Sequence, residues 1–493
     1  MTKNKKTIFE IIRRIQNLEK ENEVLRIQNE KLLIQNEKLL IQNEKLLIQN
    51  EKLLEENERL KDRLSLDSSN SSKPPSSDGL GKSAVQSEQD QEEEEKSPKK
   101  RSLREKSLRP SGGQKGHKGY TLERKSPDEV IVHCAQNCAK CGKSLEHIPA
   151  SKVKTRQVQD IPPMPDLTIT DHQVMIKKCL CGTINKGEFP ENITAPVQYG
   201  ENIQKLAVYF SGQQVIPEKR LSEVFFDVFG LRISTATLAK MNQEFTKKIA
   251  GQKEKTLKRL EEEEVKHVDE TGIRVGGKTL WAHVLCSATG TDFEIRASRG
   301  FLRENIKNHL VHDHWRAYFK LENVIHVACN AHYLRDLKFL WEEKNEEWAT
   351  HMFELLMTAL KTSKMPESEH KDLIKLILLH TYDKITAQGL SFHENKPHFS
   401  HRKRQKRKGH NLVLRFIKFK ENILRFLLTP NINIPFTNNR AEQDIRIFKI
   451  KTKISGAFRS LQGAQTFANI RGFLSTSKKQ GQNLLQAIQS AIG

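Results

Sequence analysis

Residues 265–298 read VKHVDETGIRVGGKTLWAHVLCSATGTDFEIRAS, and this stretch decides the fold that the sequence predicts. Short β-branched and apolar runs alternate with turn signals at Gly276-Gly277 and Thr289-Gly290, a pattern typical of three strands joined by hairpins. An acidic residue, Asp269, closes the first run, residues 265–268. We therefore expect a β-meander whose first strand ends at a carboxylate.

A second acidic residue, Asp313, occupies an equivalent position further along the chain. It follows residues 309–312, which we predict to be a fourth strand, after a helical stretch at residues 300–308. Strand ends are where α/β sheets present their chemistry. The order of three meander strands, a helix and a further strand is the ribonuclease H-like arrangement, so we expect an α/β domain of that kind.

The third acidic residue, Glu442, lies in the polar helical pattern TNNRAEQDIR, residues 437–446. A helix there places Glu442 and Arg446 near one face. Three such carboxylates can hold two divalent cations about 4 Å apart, which activate the attacking oxygen and stabilise the leaving oxygen at phosphorus. From the pattern alone, each acid is also compatible with a solvated strand end or helix terminus, and Asp444 fits the third position equally well.

Composition agrees with a nucleic-acid substrate. The 493 residues carry a formal net charge of +22, which is the electrostatic signature of a polyanion binder, although a ribosome-associated or membrane-surface protein would share it. There is no run of about 18 apolar residues and no signal-peptide pattern, so we expect a cytoplasmic protein. Seven cysteines, an odd number and partly clustered, favour metal binding in a reducing compartment over disulfides.

The N-terminal segment, residues 1–66, predicts a parallel two-stranded coiled coil. The heptad IQNEKLL is repeated four times between Ile27 and Leu54. Asn recurs at heptad position a and Leu at position d, a combination that favours dimers because a buried Asn pairs with its symmetry mate. A single surface helix is the alternative, but it would not need a strict seven-residue period. Identical heptads also weaken the control of register.

Residues 67–111 are rich in Ser, Pro and charge and predict a disordered linker. Two cysteine pairs follow within residues 112–194, Cys138 with Cys141 and Cys179 with Cys181, as in the two turns of a zinc ribbon. We expect one structural Zn²⁺. The CxC spacing of the second pair departs from the usual CxxC, so His133 or Cys134 remains open as a ligand, and a small β domain without metal is the alternative.

Residues 195–260 show helical periodicity. The sequence FGLRISTATL resembles a helix-turn-helix, with Gly230 in the turn, Ser234 as N-cap and Lys240 offered to a DNA groove; a plain helical bundle fits equally well. The most basic run, HRKRQKRKGH at residues 401–410, is a candidate for phosphate contacts or a solvated loop. The DNA-contact candidates are Lys240, Arg402, Lys403, Arg404, Arg440, Arg446 and Arg459.

Several motifs occur together in one order. They are SSNSSKPPSSD (68–78), GGQKGHKG (112–119), the cysteine pairs, VDETG, DHWRAY and NNRAEQDIR. In this order the chain resembles bacterial insertion-sequence transposases of the sixty-six group over nearly its whole length. The resemblance implies a DDE triad at Asp269, Asp313 and Glu442 that binds two Mg²⁺ or Mn²⁺ ions, and it selects Glu442 over Asp444. The resemblance also implies a local role for Cys329 and His332, and we expect that this role is not metal binding.

The resemblance implies a DNA transposase that binds the ends of an insertion sequence and catalyses strand cleavage and strand transfer. Its implied partners are double-stranded DNA, a second copy of the chain and accessory proteins of the same element, in a bacterial, nucleoid-associated setting. The alternatives are a nuclease or resolvase of the same fold and a catalytically inactive coiled-coil DNA-binding protein. The expected α+β architecture is a coiled coil (1–66), a linker (67–111), a zinc-binding domain (112–194), a helical region (195–260), a catalytic domain (261–475) with a helical insertion (about 341–430) and a tail (476–493).

Overall fold

The computed structural model describes residues 2–65, 124–150, 152–160, 167–181, 183–300, 303, 305–396 and 407–493. The predicted linker therefore lies outside the described residues, as do the DNA-contact candidates Arg402, Lys403 and Arg404. In the part of the chain that is described, no helix is both long enough and apolar enough to cross a bilayer.

The described chain combines helices with two sheets. The helices are α1 (Thr2–Ser65), α2 (Glu201–Val208), α3 (Glu218–Phe229), α4 (Thr235–Lys248), α5 (Ala250–Glu262), α6 (Asn330–Lys344), α7 (Glu347–Ser363), α8 (Glu369–Glu394), α9 (Lys408–Lys418), α10 (Lys420–Leu428), α11 (Asn439–Ser455), α12 (Leu461–Lys479) and α13 (Leu484–Ile492). The strands are β1 (Ile176–Lys178), β2 (Ile184–Lys186), β3 (Val265–Val275), β4 (Lys278–Cys286), β5 (Thr291–Arg296), β6 (Asn308–His312) and β7 (Val324–Ala328).

The five-stranded sheet has the order β5-β4-β3-β6-β7. β4 and β5 pair antiparallel, whereas β6 pairs parallel with both β3 and β7. β1 and β2 form a separate antiparallel hairpin. The order β5-β4-β3 and the antiparallel pairing of β4 with β5 confirm the three predicted strands of the meander. Gly276 and Gly277 form its first turn, with φ of 53° and 78°. Glycine adopts such left-handed conformations without the steric penalty that a side chain brings.

The chain divides into two compact units. The first unit comprises Met1–Arg101, Glu264–Val268 and Leu302–Arg440, and it contains β6, β7 and the helices α6 to α10. Its core is built from apolar side chains of these helices, including Leu337, Met352 and Phe416, together with Val311 and Val327 of the strands. The helical pattern that we predicted after Trp341 is thus present as α7 to α10.

The second unit comprises Ser102–Glu263, Asp269–Phe301 and Ala441–Gly493. One core cluster packs the meander strands against α11 and α12. A second joins α2 and α4 with α12 and α13, and a third lies among α2, α3 and α4. The predicted helix start at Ser234 is confirmed, since its side chain accepts a hydrogen bond from the Thr237 amide at 3.1 Å. Gly230 ends α3 with a φ of 64°, as the turn prediction required.

Two local predictions were wrong. β3 does not end at Asp269 but continues to Val275, because inward-facing Thr271, Ile273 and Val275 prolong the period-two burial pattern beyond the acid. The helix expected at residues 300–308 is absent from the described part of that stretch, residues 300, 303 and 305–308. Asn308 instead enters β6 with a φ of 62°, a left-handed conformation that helices do not contain.

Candidate active site

Asp269 and Asp313 stand at matching positions of two parallel strands. The register of β3 and β6 pairs Val265 with His309 and His267 with Val311. Asp269 comes two positions after His267, the last residue of β3 that pairs with β6. Asp313 comes two positions after Val311, the last residue of β6 that pairs with β3. The two acids therefore have the same offset from the paired segment, although Asp269 lies within its strand and Asp313 lies just beyond its own.

In the first unit, the surroundings of Asp313 fix its side chain without supplying positive charge from histidine. The Trp315 amide donates to Asp313 Oδ1 at 2.9 Å. Burial lowers the pKa of the preceding residue, His312, to about 3. Burial, aided by the charge of Arg415, lowers the pKa of His314 to about 4. Both imidazoles are therefore neutral at physiological pH. The two histidines that flank the half-buried Asp313 in the sequence add no positive charge beside its carboxylate.

Asn438 links the segments that lead to the three acids. Its side-chain amide donates to the Val268 carbonyl at 2.8 Å, and its Oδ1 lies 3.0 Å from His267 Nδ1. The backbone amide of Asn438 donates to Cys329 Sγ at 3.1 Å, while the Cys329 amide donates to the His312 carbonyl at 2.9 Å. Val268 precedes Asp269, His312 precedes Asp313, and Asn438 comes four residues before Glu442.

This role of Asn438 and Cys329 was not predicted. The sequence indicates no role for Asn438 and marks Cys329 only through the resemblance. Both residues are 1% exposed, so their hydrogen bonds form in a medium that excludes water. The only sequence signal was a polar Asn directly before the NRAEQ pattern, which does not reveal a partner more than a hundred residues away.

In the second unit, Asp269 and its neighbour Glu270 have different surroundings. Successive residues of a strand point to opposite faces of the sheet. Glu270 accepts two hydrogen bonds from the Arg299 guanidinium, at 2.9 and 2.8 Å, and its side chain is only 2% exposed. Arg299 in turn lies over the Trp281 ring at 5.1 Å. The charge of Glu270 is therefore neutralised by a structural ion pair, and Asp269 faces the other way.

The two acids of α11, Glu442 and Asp444, also have different surroundings. Asp444 accepts hydrogen bonds from Lys479 Nζ at 2.7 Å and from the Thr291 hydroxyl at 2.8 Å. Lys479 also donates to the carbonyls of Ser287 and Gly290, so this ion pair joins α11 and α12 to the β4–β5 turn. Glu442, in the first turn of α11, has a buried Oε1 without a hydrogen-bond partner among the described residues. A buried carboxylate oxygen without a hydrogen-bond partner is unfavourable, and binding of a cation would compensate its charge.

The basic candidates occupy several places. Arg440 and Arg446 are exposed on α11, Lys240 is exposed on α4, and Arg459 is exposed in the turn after α11. Lys451 of α11, by contrast, is 8% exposed and packs against Phe467. Residues at the end of α11 lie several helical turns away from Glu442, because each residue adds about 1.5 Å along the helix axis.

Each cysteine pair forms a tight turn. The Cys138 amide donates to the Lys143 carbonyl at 2.9 Å, and the Cys179 amide donates to the Thr183 carbonyl at 2.8 Å. The Cys141 amide is the main cause that lowers the pKa of Cys138, and the Thr183 hydroxyl lowers the pKa of Cys181 to about 7. Thiolates are the form that binds zinc. Among the described residues, the four sulfur atoms do not meet as a group of three or more within 4.8 Å.

Comparison with known families yields two matches. Residues 196–466, more than half of the chain, match the family described as Transposase IS66 family. Residues 14–123 match a family of unknown function, DUF6444. No curated protein matches the chain.

Proposed function

Because the chain belongs to the Transposase IS66 family, we propose that it binds the ends of an insertion sequence and catalyses metal-dependent strand cleavage and strand transfer. The observation that carries the choice of residues is the contrast between neighbouring acids. Glu270 and Asp444 are each neutralised by a basic side chain, whereas Glu442 keeps a buried oxygen without a hydrogen-bond partner among the described residues. The catalytic acids proposed are Asp269, Asp313 and Glu442.

These residues fit divalent cations of the hard type. Mg²⁺ and Mn²⁺ bind carboxylate oxygens, and we assign two such ions to Asp269, Asp313 and Glu442. When bound, the ions would activate the attacking oxygen and stabilise the leaving oxygen at phosphorus. The equal offset of Asp269 and Asp313 from the β3–β6 register supports their cooperation, because neighbouring strands lie about 4.8 Å apart.

Other residues of the chain would hold the acids and the DNA in place. The Trp315 amide orients the Asp313 carboxylate, and Asn438 ties the start of α11 to the residue before Asp269. Arg446, exposed one turn beyond Glu442, would bind the phosphate on which the acids act. Joining requires no external energy source, because the freed 3′-hydroxyl attacks a phosphodiester and one such bond replaces another.

The test uses Asp269→Asn, Asp313→Asn and Glu442→Gln in the full chain. Each substitution keeps the side-chain shape but removes the charge that the cations require, so we expect cleavage of end-containing duplexes in Mg²⁺ or Mn²⁺ to fall by about a thousandfold or more. Binding to the same duplexes without divalent metal should persist or tighten slightly, because the protein becomes less negative. Glu322→Gln, which changes an exposed carboxylate in the turn before β7, is the matched control.

The possible results separate the functions. Normal cleavage by all three variants would refute the metal site. Normal cleavage by Glu442→Gln alone would leave the first two acids standing and remove the third. A wild-type protein that cuts ends but gives no joined product with target DNA would be a nuclease of this fold, and a wild-type protein that binds ends without cutting them would be a DNA-binding protein only.

A further inference from the structure

The tip of the β3–β4 hairpin is attached to the turn that follows α11. The Gly276 amide donates to the Phe458 carbonyl at 2.9 Å, and the Phe458 amide donates to the Arg274 carbonyl at 2.9 Å. Val275 and Phe458 form a parallel bridge. Both of these side chains are buried in the same apolar cluster, so they point to the inner face of the sheet. The hairpin tip and the turn therefore form one structural element of the second unit.

This attachment places two arginines on the outer face. Side chains alternate along a strand, so Arg274 and Arg459, each adjacent to one of the buried bridge residues, point away from the core on the same side. Both are exposed. Arg274 donates to the Thr279 hydroxyl at 3.0 Å, which holds it along the hairpin. We call Arg274 and Arg459 the hairpin surface.

The hairpin surface has no acidic residues in the segments that build it. Residues 271–291 and residues 445–493 contain no Asp or Glu. The nearest acids on the outer face of the strands, Glu270 and Glu294, are ion-paired with Arg299 and Arg296 respectively. Within the described residues, neither Arg274 nor Arg459 has an ion-pair partner. Uncompensated cations on a rigid turn fit a polyanion whose charges are also fixed in space.

The distance from the proposed catalytic acids indicates which part of a DNA duplex would lie there. Along β3, Arg274 is five residues beyond Asp269, or about 17 Å at 3.3 Å per residue. Along α11, Ser455 is thirteen residues beyond Glu442, or about 20 Å at 1.5 Å per residue. Both elements lead from an acid to the same turn. At about 3.4 Å per nucleotide of a strand, these distances correspond to about five to six nucleotides.

We propose that the hairpin surface binds the sugar-phosphate backbone of the DNA duplex about five to six nucleotides from the phosphate that is cut. This inference rests on the proposed function, because the position is counted from the catalytic acids. The surface would fix the angle and register of the duplex without reading its sequence, as phosphate contacts do.

The experiment compares Arg274→Gln/Arg459→Gln with a charge-matched control, Lys361→Gln/Lys384→Gln. The control lysines are exposed on α7 and α8. Binding of the full chain to an end-containing duplex is measured by fluorescence anisotropy without divalent metal, at several salt concentrations. We expect the slope of log Kobs against log salt to fall in magnitude by about two in the arginine variant, since each lost phosphate contact removes about 0.9. The control should keep the wild-type slope.

A second arm tests the position. Neutral methylphosphonate linkages replace the phosphates about five to six nucleotides from the cut, on either side, or about twelve nucleotides away for comparison. The near replacement should weaken binding by the wild-type protein and have little effect on the arginine variant, because the two changes remove the same contact. Thermal unfolding of the variant should match the wild type, since the hairpin is attached through backbone groups.

Three results would overturn the inference. They are an unchanged salt slope in the arginine variant, an equal fall in the lysine control, and a loss of self-association in place of DNA affinity. The proposed function can fail separately. A wild-type protein that does not cut DNA, but whose salt slope falls only in the arginine variant, would refute the chemistry and leave the DNA-binding surface standing.

Discussion

Glu442 and Asp444 are two residues apart on α11, yet their chemical environments assign them to different tasks. Asp444 is ion-paired with Lys479 and hydrogen-bonded to Thr291, and both charged side chains are 16% exposed. Glu442 lacks such a partner at Oε1 within the described residues. Functional sites are where a chain retains groups that folding alone leaves unsatisfied. The hydrogen-bond partners of these two residues therefore distinguish a structural carboxylate, Asp444, from a candidate catalytic one, Glu442.

This contrast predicts opposite effects on stability. Asp444→Asn should lower the free energy of unfolding by about 1–3 kcal/mol, because the Lys479 ammonium would keep its buried position and lose its counter-charge. Glu442→Gln should leave stability unchanged or raise it, since it removes a buried charge that has no cation when metal is absent. Denaturant unfolding in EDTA measures both. Equal destabilisation by the two substitutions would contradict the separation.

At the scale of elements, the cysteine turns show how sequence spacing becomes local structure. The hairpin β1–β2 carries Cys179 and Cys181 in its turn, and a bridge between Asn137 and Ser144 closes the turn with Cys138 and Cys141. Backbone and hydroxyl groups lower the pKa of Cys138 and Cys181. A zinc ion would supply the attraction that draws two small turns together, because a short two-stranded hairpin is marginally stable in water.

We propose that these four cysteines hold one structural Zn²⁺. Cys138→Ser should reduce zinc bound to the full chain by at least half and lower the temperature at which the region around residues 124–190 becomes sensitive to protease. Zinc is measured by mass spectrometry after dialysis. Cys134→Ser is the matched control, as an exposed thiol outside the two pairs. Wild-type protein without zinc would refute the site, and loss of zinc in the control would change the ligand set.

At the scale of the whole molecule, α1 presents apolar side chains that one helix cannot bury. It spans 64 residues, about 96 Å at 1.5 Å per residue. The leucines at heptad position d are 46–56% exposed from Leu18 to Leu60. Burying them against a second copy would remove apolar surface from water at about 25 cal/mol per Å². The heptad pattern thus continues to favour a coiled-coil dimer.

We expect residues 1–66 to be responsible for dimerisation. Light scattering should show a shift toward the monomer mass when they are removed, because the remaining described units bury their own cores. Leu32→Lys/Leu46→Lys tests the same seam in the full chain by placing charges at position d. The exposed pair Lys31→Glu/Lys45→Glu serves as control on another face. An unchanged mass for the truncated protein would show that another surface holds the copies together.

Local patterns in the sequence determined much of this protein. Period-two alternation and paired glycines predicted the meander, Ser234 predicted the start of α4, and the heptads predicted a long helix; all three are in the structure. These features depend on interactions between residues close in the chain, so the residue types suffice to specify them. The three acids and the family were likewise proposed from motifs, and the family match covers residues 196–466.

Only the tertiary structure revealed which polar groups meet. Asn438 reaches Val268 and Cys329 across more than a hundred residues of sequence, and Lys479 reaches Asp444 from another helix. Nothing in the local sequence pattern distinguishes Glu442 from Asp444. The pattern also does not show that Arg459 lies beside the tip of the β3–β4 hairpin. Hydrogen bonds and ion pairs depend on distance in space, and that distance is set by how strands and helices pack rather than by the order of residues.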